Sequence, residues 1–60
     1  MKLFTAIELA ETLQVPVATV YRWNYLHSGP PAIRVGRHVR YLEEDVLAWL
    51  EEHRGEEAAK

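Results

Sequence analysis

Apolar and polar positions alternate along this chain with two different periods, and the changes of period mark its elements. Ala6, Leu9, Ala10 and Leu13 recur at the spacing of one helix face. Just before them, Thr5-Ala6-Ile7-Glu8 has the form of a capping box, in which the Thr5 hydroxyl and the Glu8 carboxylate satisfy each other's orphan backbone donors. Phe4 and Leu9 hold the two positions of a hydrophobic staple. The pattern predicts a first helix over 6–13, interrupted by Gln14-Val15-Pro16. Pro16 is tolerated in a first turn and is expected to open a second helix running to about His27, where Ser28-Gly29-Pro30-Pro31 stops it. Val20, Trp23 and His27 share its expected core face, while Ala18, Arg22 and Tyr25 look outward.

From Ala32 the period drops to two. Ala32-Ile33-Arg34-Val35 and Val39-Arg40-Tyr41 alternate around Gly36-Arg37-His38, which reads as a hairpin. Parity favours an odd loop. A three-residue connection pairs Val35 with Val39 and Ile33 with Tyr41, collecting the apolar side chains on one face and setting Arg34 opposite Arg40 on the other. Leu42 to His53 returns to helical spacing, with Leu42, Val46, Trp49, Leu50 and His53 as its inner stripe. Glu43, Glu44 and Asp45 load its first turn with the charge that a helix N-terminus favours. Gly55 is the expected stop, and 55–60 is expected to be a flexible tail behind a single domain of residues 1–54. Helix, tight turn, helix, hairpin, helix is the order of a winged helix-turn-helix, mainly α with a β-hairpin wing.

Sixty residues allow one domain with a thin core, and the chain has no cysteine to staple it. No apolar run is long enough for a bilayer and no signal-peptide pattern opens the chain, so a cytoplasmic protein is expected. The formal net charge of −2 argues against a nucleic-acid partner until its distribution is considered. Thr12 to Leu42 contains no Asp or Glu, and Arg22, Arg34, Arg37 and Arg40 all fall within it, beside His27 and His38. Lys2, Arg54 and Lys60 are left among nine acids elsewhere. Chance clustering of surface charge is the plain alternative; convergence of the four arginines in space decides the matter.

Like charges directly across a strand pair repel, so Arg34 facing Arg40, with Arg37 at the loop tip, makes sense where a polyanion supplies the countercharge. The competing reading has these arginines bridging to Glu residues of the third helix. On the second helix, Val17, Ala18 and the Thr19 methyl suit thymine methyl groups in a major groove, and Arg22 suits guanine or a phosphate. Tyr21 and Tyr25 can donate to backbone oxygens. Tyr25 equally suits an ordinary half-buried position. Catalytic chemistry finds no support: Ser28 beside His27 lies in a breaker-rich turn, and the three histidines lack ligand spacing. His27 and His53 are expected against the core. Neither an enzyme, a metal site nor a cofactor is expected.

Thr19-Val20-Tyr21-Arg22-Trp23, then Ala32-Ile33-Arg34-Val35-Gly36-Arg37-His38-Val39-Arg40-Tyr41, then Asp45-Val46-Leu47-Ala48-Trp49-Leu50 closely resemble the excisionase-type winged helix-turn-helix proteins, small relatives of the DNA-binding domain of MerR-family regulators. The resemblance spans about Leu3 to Leu50. It implies sequence-specific binding of double-stranded DNA, with the second helix in the major groove and the wing at the adjacent minor groove or its phosphates. Carried over by position, Thr19, Tyr21 and Arg22 match the helix contacts, and Arg34, Arg37, His38 and Arg40 match the wing, with Gly36 at its turn. It further implies an excisionase (recombination directionality factor) or a small transcription regulator. Neighbouring copies on repeated sites, or an integrase, would be further partners. Pro16, Val17 and Ala18 depart from the polar residues common at the family's helix start. The rival reading of another class is a winged-helix module that binds an integrase or a polymerase subunit.

Overall fold

The computed structural model describes residues 1–54. In chain order these form strand β1 (Leu3–Phe4), helix α1 (Ala6–Leu13), helix α2 (Val17–Leu26), strand β2 (Ile33–Val35), strand β3 (His38–Leu42) and helix α3 (Glu43–Glu52). The α-α-β-β-α order of a winged helix-turn-helix is present, preceded by one short strand. Gly55 and the segment to Lys60 lie outside the described residues.

Helix α1 begins as its sequence dictates. The Glu8 backbone N–H donates to Thr5 Oγ1 at 3.0 Å and the Thr5 N–H to Glu8 Oε1 at 2.9 Å, completing the capping box. Phe4 and Leu9, the staple pair, are both buried. The helix ends with Gln14 in the left-handed region at φ 59°, where Val15 N–H donates back to the Ala10 carbonyl at 3.0 Å. Such a closure usually falls to glycine. Helix α2 ends the same way at His27, φ 57°, with Ser28 N–H donating to the Trp23 carbonyl at 2.8 Å. Pro16 is therefore the cap before α2, whose first helical residue is Val17.

The core is one cluster of Phe4, Leu9, Ala10, Val20, Tyr41 and Val46, drawn from five of the six elements. Trp23 packs on it from α2 and meets Trp49 of α3, ring centroids 5.2 Å apart and tilted. His53 stacks on the other side of this pair, 4.4 Å from Trp49, with Nδ1 within 2.8 Å of the Trp49 carbonyl. The expectation that His53 packs inward holds. His27 does not: its left-handed backbone at the helix end turns it into solvent. Along α3, Val46 is buried and Trp49 half-buried, whereas Leu50 sits at the exposed margin.

The sheet is antiparallel in the order β1-β3-β2. Phe4 pairs with Tyr41 over the core, and Glu43 N–H donates to the Lys2 carbonyl at 2.9 Å, fastening α3 to the first strand. The β2–β3 hairpin departs from the parity expectation. Its pairs are Ile33 with Arg40, Arg34 with Val39 and Val35 with His38, so the loop is the two residues Gly36-Arg37. Gly36 has φ 63° while Arg37 is not among the positive-φ residues, the sign pattern of a type II′ turn with glycine first. Alternation fixes a register only where a core lies beneath the whole ribbon. No such core exists under β2, all three of whose residues are exposed, and so nothing forces its apolar side chains onto one face.

Candidate nucleic-acid interface

Side chains directly across an antiparallel pair share a face, and successive ones alternate. One face of the ribbon therefore carries Arg34, Val39 and Tyr41 and continues the core side; the other carries Ile33, Val35, His38 and Arg40. Arg34 and Arg40 are not opposite each other, as parity had suggested, but on opposite faces. The direct repulsion expected between them is absent, and the ribbon instead bears a guanidinium on each side.

Two open recesses lie where the ribbon approaches α2. The first is bordered by Tyr21 and Asn24 of α2, Ile7 at the start of α1, and Arg37, His38 and Arg40 of the ribbon. The second lies towards the C-terminal end of α2, between His27 and Ser28 of the turn and Arg34 of the ribbon, with Trp23 and Asn24 on its wall. Helix and ribbon thus form one continuous, grooved surface. Asn24 borders both recesses, although it was not among the residues expected to act. The signal was available: Asn24 follows Tyr21 by three and shares its flank of the helix.

The remaining expected residues are placed as follows. Ala18, Arg22 and Tyr25 form the outward face of α2, with Tyr25 84% exposed, which settles its position in favour of solvent. Tyr21, 54% exposed, leans to the ribbon side. Val17 and Thr19 are half-buried rather than open, and Val17 packs against the core. Gly36 has open space around it, and Arg37 and His38 are exposed beside it. Arg40 is half-buried, and its Nη1 donates to the Val39 carbonyl at 2.9 Å, which steadies the side chain along the ribbon while leaving its other donors unused.

Electrostatics set this surface apart from the rest of the molecule. Among the described residues the one ion pair is Arg54–Glu51, 3.2 Å long, at the C-terminal end of α3. Arg22, Arg34, Arg37 and Arg40 have no carboxylate partner there, so the bridging to α3 acids weighed above does not occur among the described residues. The acids Glu43, Glu44, Glu51 and Glu52 are exposed on α3. Burial pushes the Tyr41 hydroxyl above its usual value, and neighbouring Tyr21 adds to the shift. No cluster among the described residues could hold a metal ion, and no described helix is long and apolar enough to cross a membrane.

A helix-turn-helix followed by a projecting basic ribbon defines a class of nucleic-acid-binding protein. Comparison with family models agrees: the helix-turn-helix domain family matches residues 3–54. The chain belongs to that family, a DNA-binding one related to the excisionase-type and MerR-like proteins that its sequence resembles, and DNA binding is the activity the domain implies. It is not a family of enzymes. No curated protein and no solved structure matched the chain.

Proposed function

We propose that this protein binds double-stranded DNA sequence-specifically, with α2 in the major groove and the β2–β3 ribbon in the adjacent minor groove. The observation that carries the reading is the distribution of arginines that have no carboxylate partner among the described residues. A wing that enters a groove meets phosphates on both walls, so a guanidinium on each ribbon face suits it better than two on one face. Arg34 addresses one strand's backbone; Arg40, with His38, addresses the other. Gly36 lets the tip turn tightly, and Arg37 there reaches deepest, where a narrow minor groove concentrates negative potential.

In the major groove, Ala18 and the Thr19 methyl meet thymine methyl groups, Arg22 reads guanine or binds a phosphate, and Tyr21 and Tyr25 donate to backbone oxygens. Half-buried Val17 orients this first turn as much as it contacts a base. The biological role is that of a recombination directionality factor or of a small transcription regulator, which place the same demands on the surface. Footprinting on the DNA upstream of its own reading frame and at integrase attachment sites separates them.

The deciding experiment is a gel shift with wild-type protein and an Arg34→Ala, Arg37→Ala, Arg40→Ala triple variant whose fold is verified by circular dichroism. Loss of retention supports the reading. Unchanged retention would favour instead a protein-interaction module, docking to an integrase or polymerase subunit through exposed residues such as Leu47 of α3.

A further inference from the structure

The recess at the end of α2 has features that neither the recognition helix nor the ribbon tip requires. Four polar side chains border it: Asn24, His27, Ser28 and Arg34. None makes a side-chain hydrogen bond or ion pair among the described residues. Every one of them can donate to an anion, and no carboxylate of the described residues borders the recess.

The turn that carries His27 and Ser28 packs against the core. His27 sits at φ 57°, a conformation that costs a residue with a Cβ and that glycine would adopt freely. Two residues later Gly29, at φ 79°, lies so close to Trp23 that an added Cβ would come within 2.8 Å of the indole. Pro30 is buried behind it, and Trp23 is itself braced by Trp49. The turn is therefore clamped to the core on one side and presents His27 and Ser28 on the other. His27 shares this left-handed backbone with Gln14, so what distinguishes it is its place on the border of the recess.

We infer that this recess is a third DNA contact, a seat for one backbone phosphodiester between the recognition helix and the wing. The inference rests on the DNA-binding reading and deepens it. Arg34 supplies the charge; Asn24, Ser28 and His27 supply further donors. Because the turn is already ordered before binding, little conformational freedom is lost when the phosphate arrives. The seat fixes the register of helix against wing without reading a base.

The discriminating variant is His27→Gly, because its two consequences have opposite signs. Relieving the left-handed backbone raises the melting temperature, whereas removing the donor weakens binding to a mixed-sequence duplex of about 30 base pairs by about fivefold. Ser28→Ala weakens it less. Arg34→Ala weakens it more and lowers the magnitude of the salt slope by about one. In NMR titrations, the Asn24 side-chain amide and the Ser28 backbone amide shift with the duplex, and inorganic phosphate at equal phosphate concentration leaves them in place; shifts with inorganic phosphate alone would assign the recess to a small anion and overturn the proposal. Binding of His27→Gly and Ser28→Ala within twofold of wild type, with Arg37→Ala clearly weakened, would overturn it while leaving the general reading intact. Failure of the wild-type protein to bind any duplex would remove the reading on which it rests.

Discussion

Val20 and Val35 are the same side chain in two settings. On α2, Val20 has no exposed surface and touches a core assembled from both ends of the chain. On β2, Val35 keeps 51% of its surface and faces away from that core. The helical body is determined by burial at Leu9, Ala10, Val20 and Val46, where a slip would expose the side chain. Strand β2 is determined by its turn and its backbone hydrogen bonds, and all three of its side chains stay exposed. On the proposed reading, stability and recognition thereby fall to different residues, which suits a chain with so small a core.

The contrast is broken most directly by truncation. Leu9→Ala in the core is expected to cost about 3 kcal/mol, a large share of what so small a domain has, and Val35→Ala less than about 0.5 kcal/mol. Chemical denaturation of both variants checks this, and equal losses would mean that β2 packs on something. Glycines sharpen it next. Gly29→Ala, meeting the Trp23 ring as well as an unfavourable φ, should lose about 2–3 kcal/mol, whereas Gly36→Ala, with open space around it, should lose about 1 kcal/mol from backbone strain alone. A thermal melt in which the two behave alike would contradict the close approach of Gly29 to the indole.

Smaller effects follow at the helix ends and with pH. Gln14→Gly relieves a left-handed backbone away from the candidate interface and should stabilise the fold by about 1 kcal/mol, seen as a higher denaturation midpoint with DNA affinity unchanged. Tyr41 gives a pH effect of definite sign. Its hydroxyl is raised in the folded state, so above about pH 10 the unfolded chain releases that proton first and stability declines until the folded form ionises as well. Tyr41→Phe should flatten this decline relative to wild type, and a Tyr41→Phe profile that falls as steeply would remove Tyr41 as the cause.

The same contrast explains what could be read from the sequence. The 6–13 helix, its Thr5–Glu8 box and its Phe4–Leu9 staple were all legible, because local capping and burial there say the same thing. So were the α-α-β-β-α order and the absence of acids around four arginines. The ribbon register was not legible from hydrophobic alternation, since alternation has meaning only where one face is buried. The better signal was Gly36 itself, first in a two-residue loop, which marks a type II′ turn. Strand β1 spans only Leu3–Phe4, too short to display a period. His27 follows the core-face spacing of Val20 and Trp23, but the helix ends before it and the spacing no longer applies.

On the proposed reading, the four arginines that have no carboxylate partner among the described residues find their countercharges on a DNA backbone. Fluorescence anisotropy of a labelled duplex, titrated over a range of salt concentrations, tests it most directly. The account predicts that log K falls against log salt with a slope of about −3 to −4 for wild type, and that each of Arg34→Ala, Arg37→Ala and Arg40→Ala reduces its magnitude by about one. A slope near zero, or one that the three substitutions leave unchanged, would contradict it.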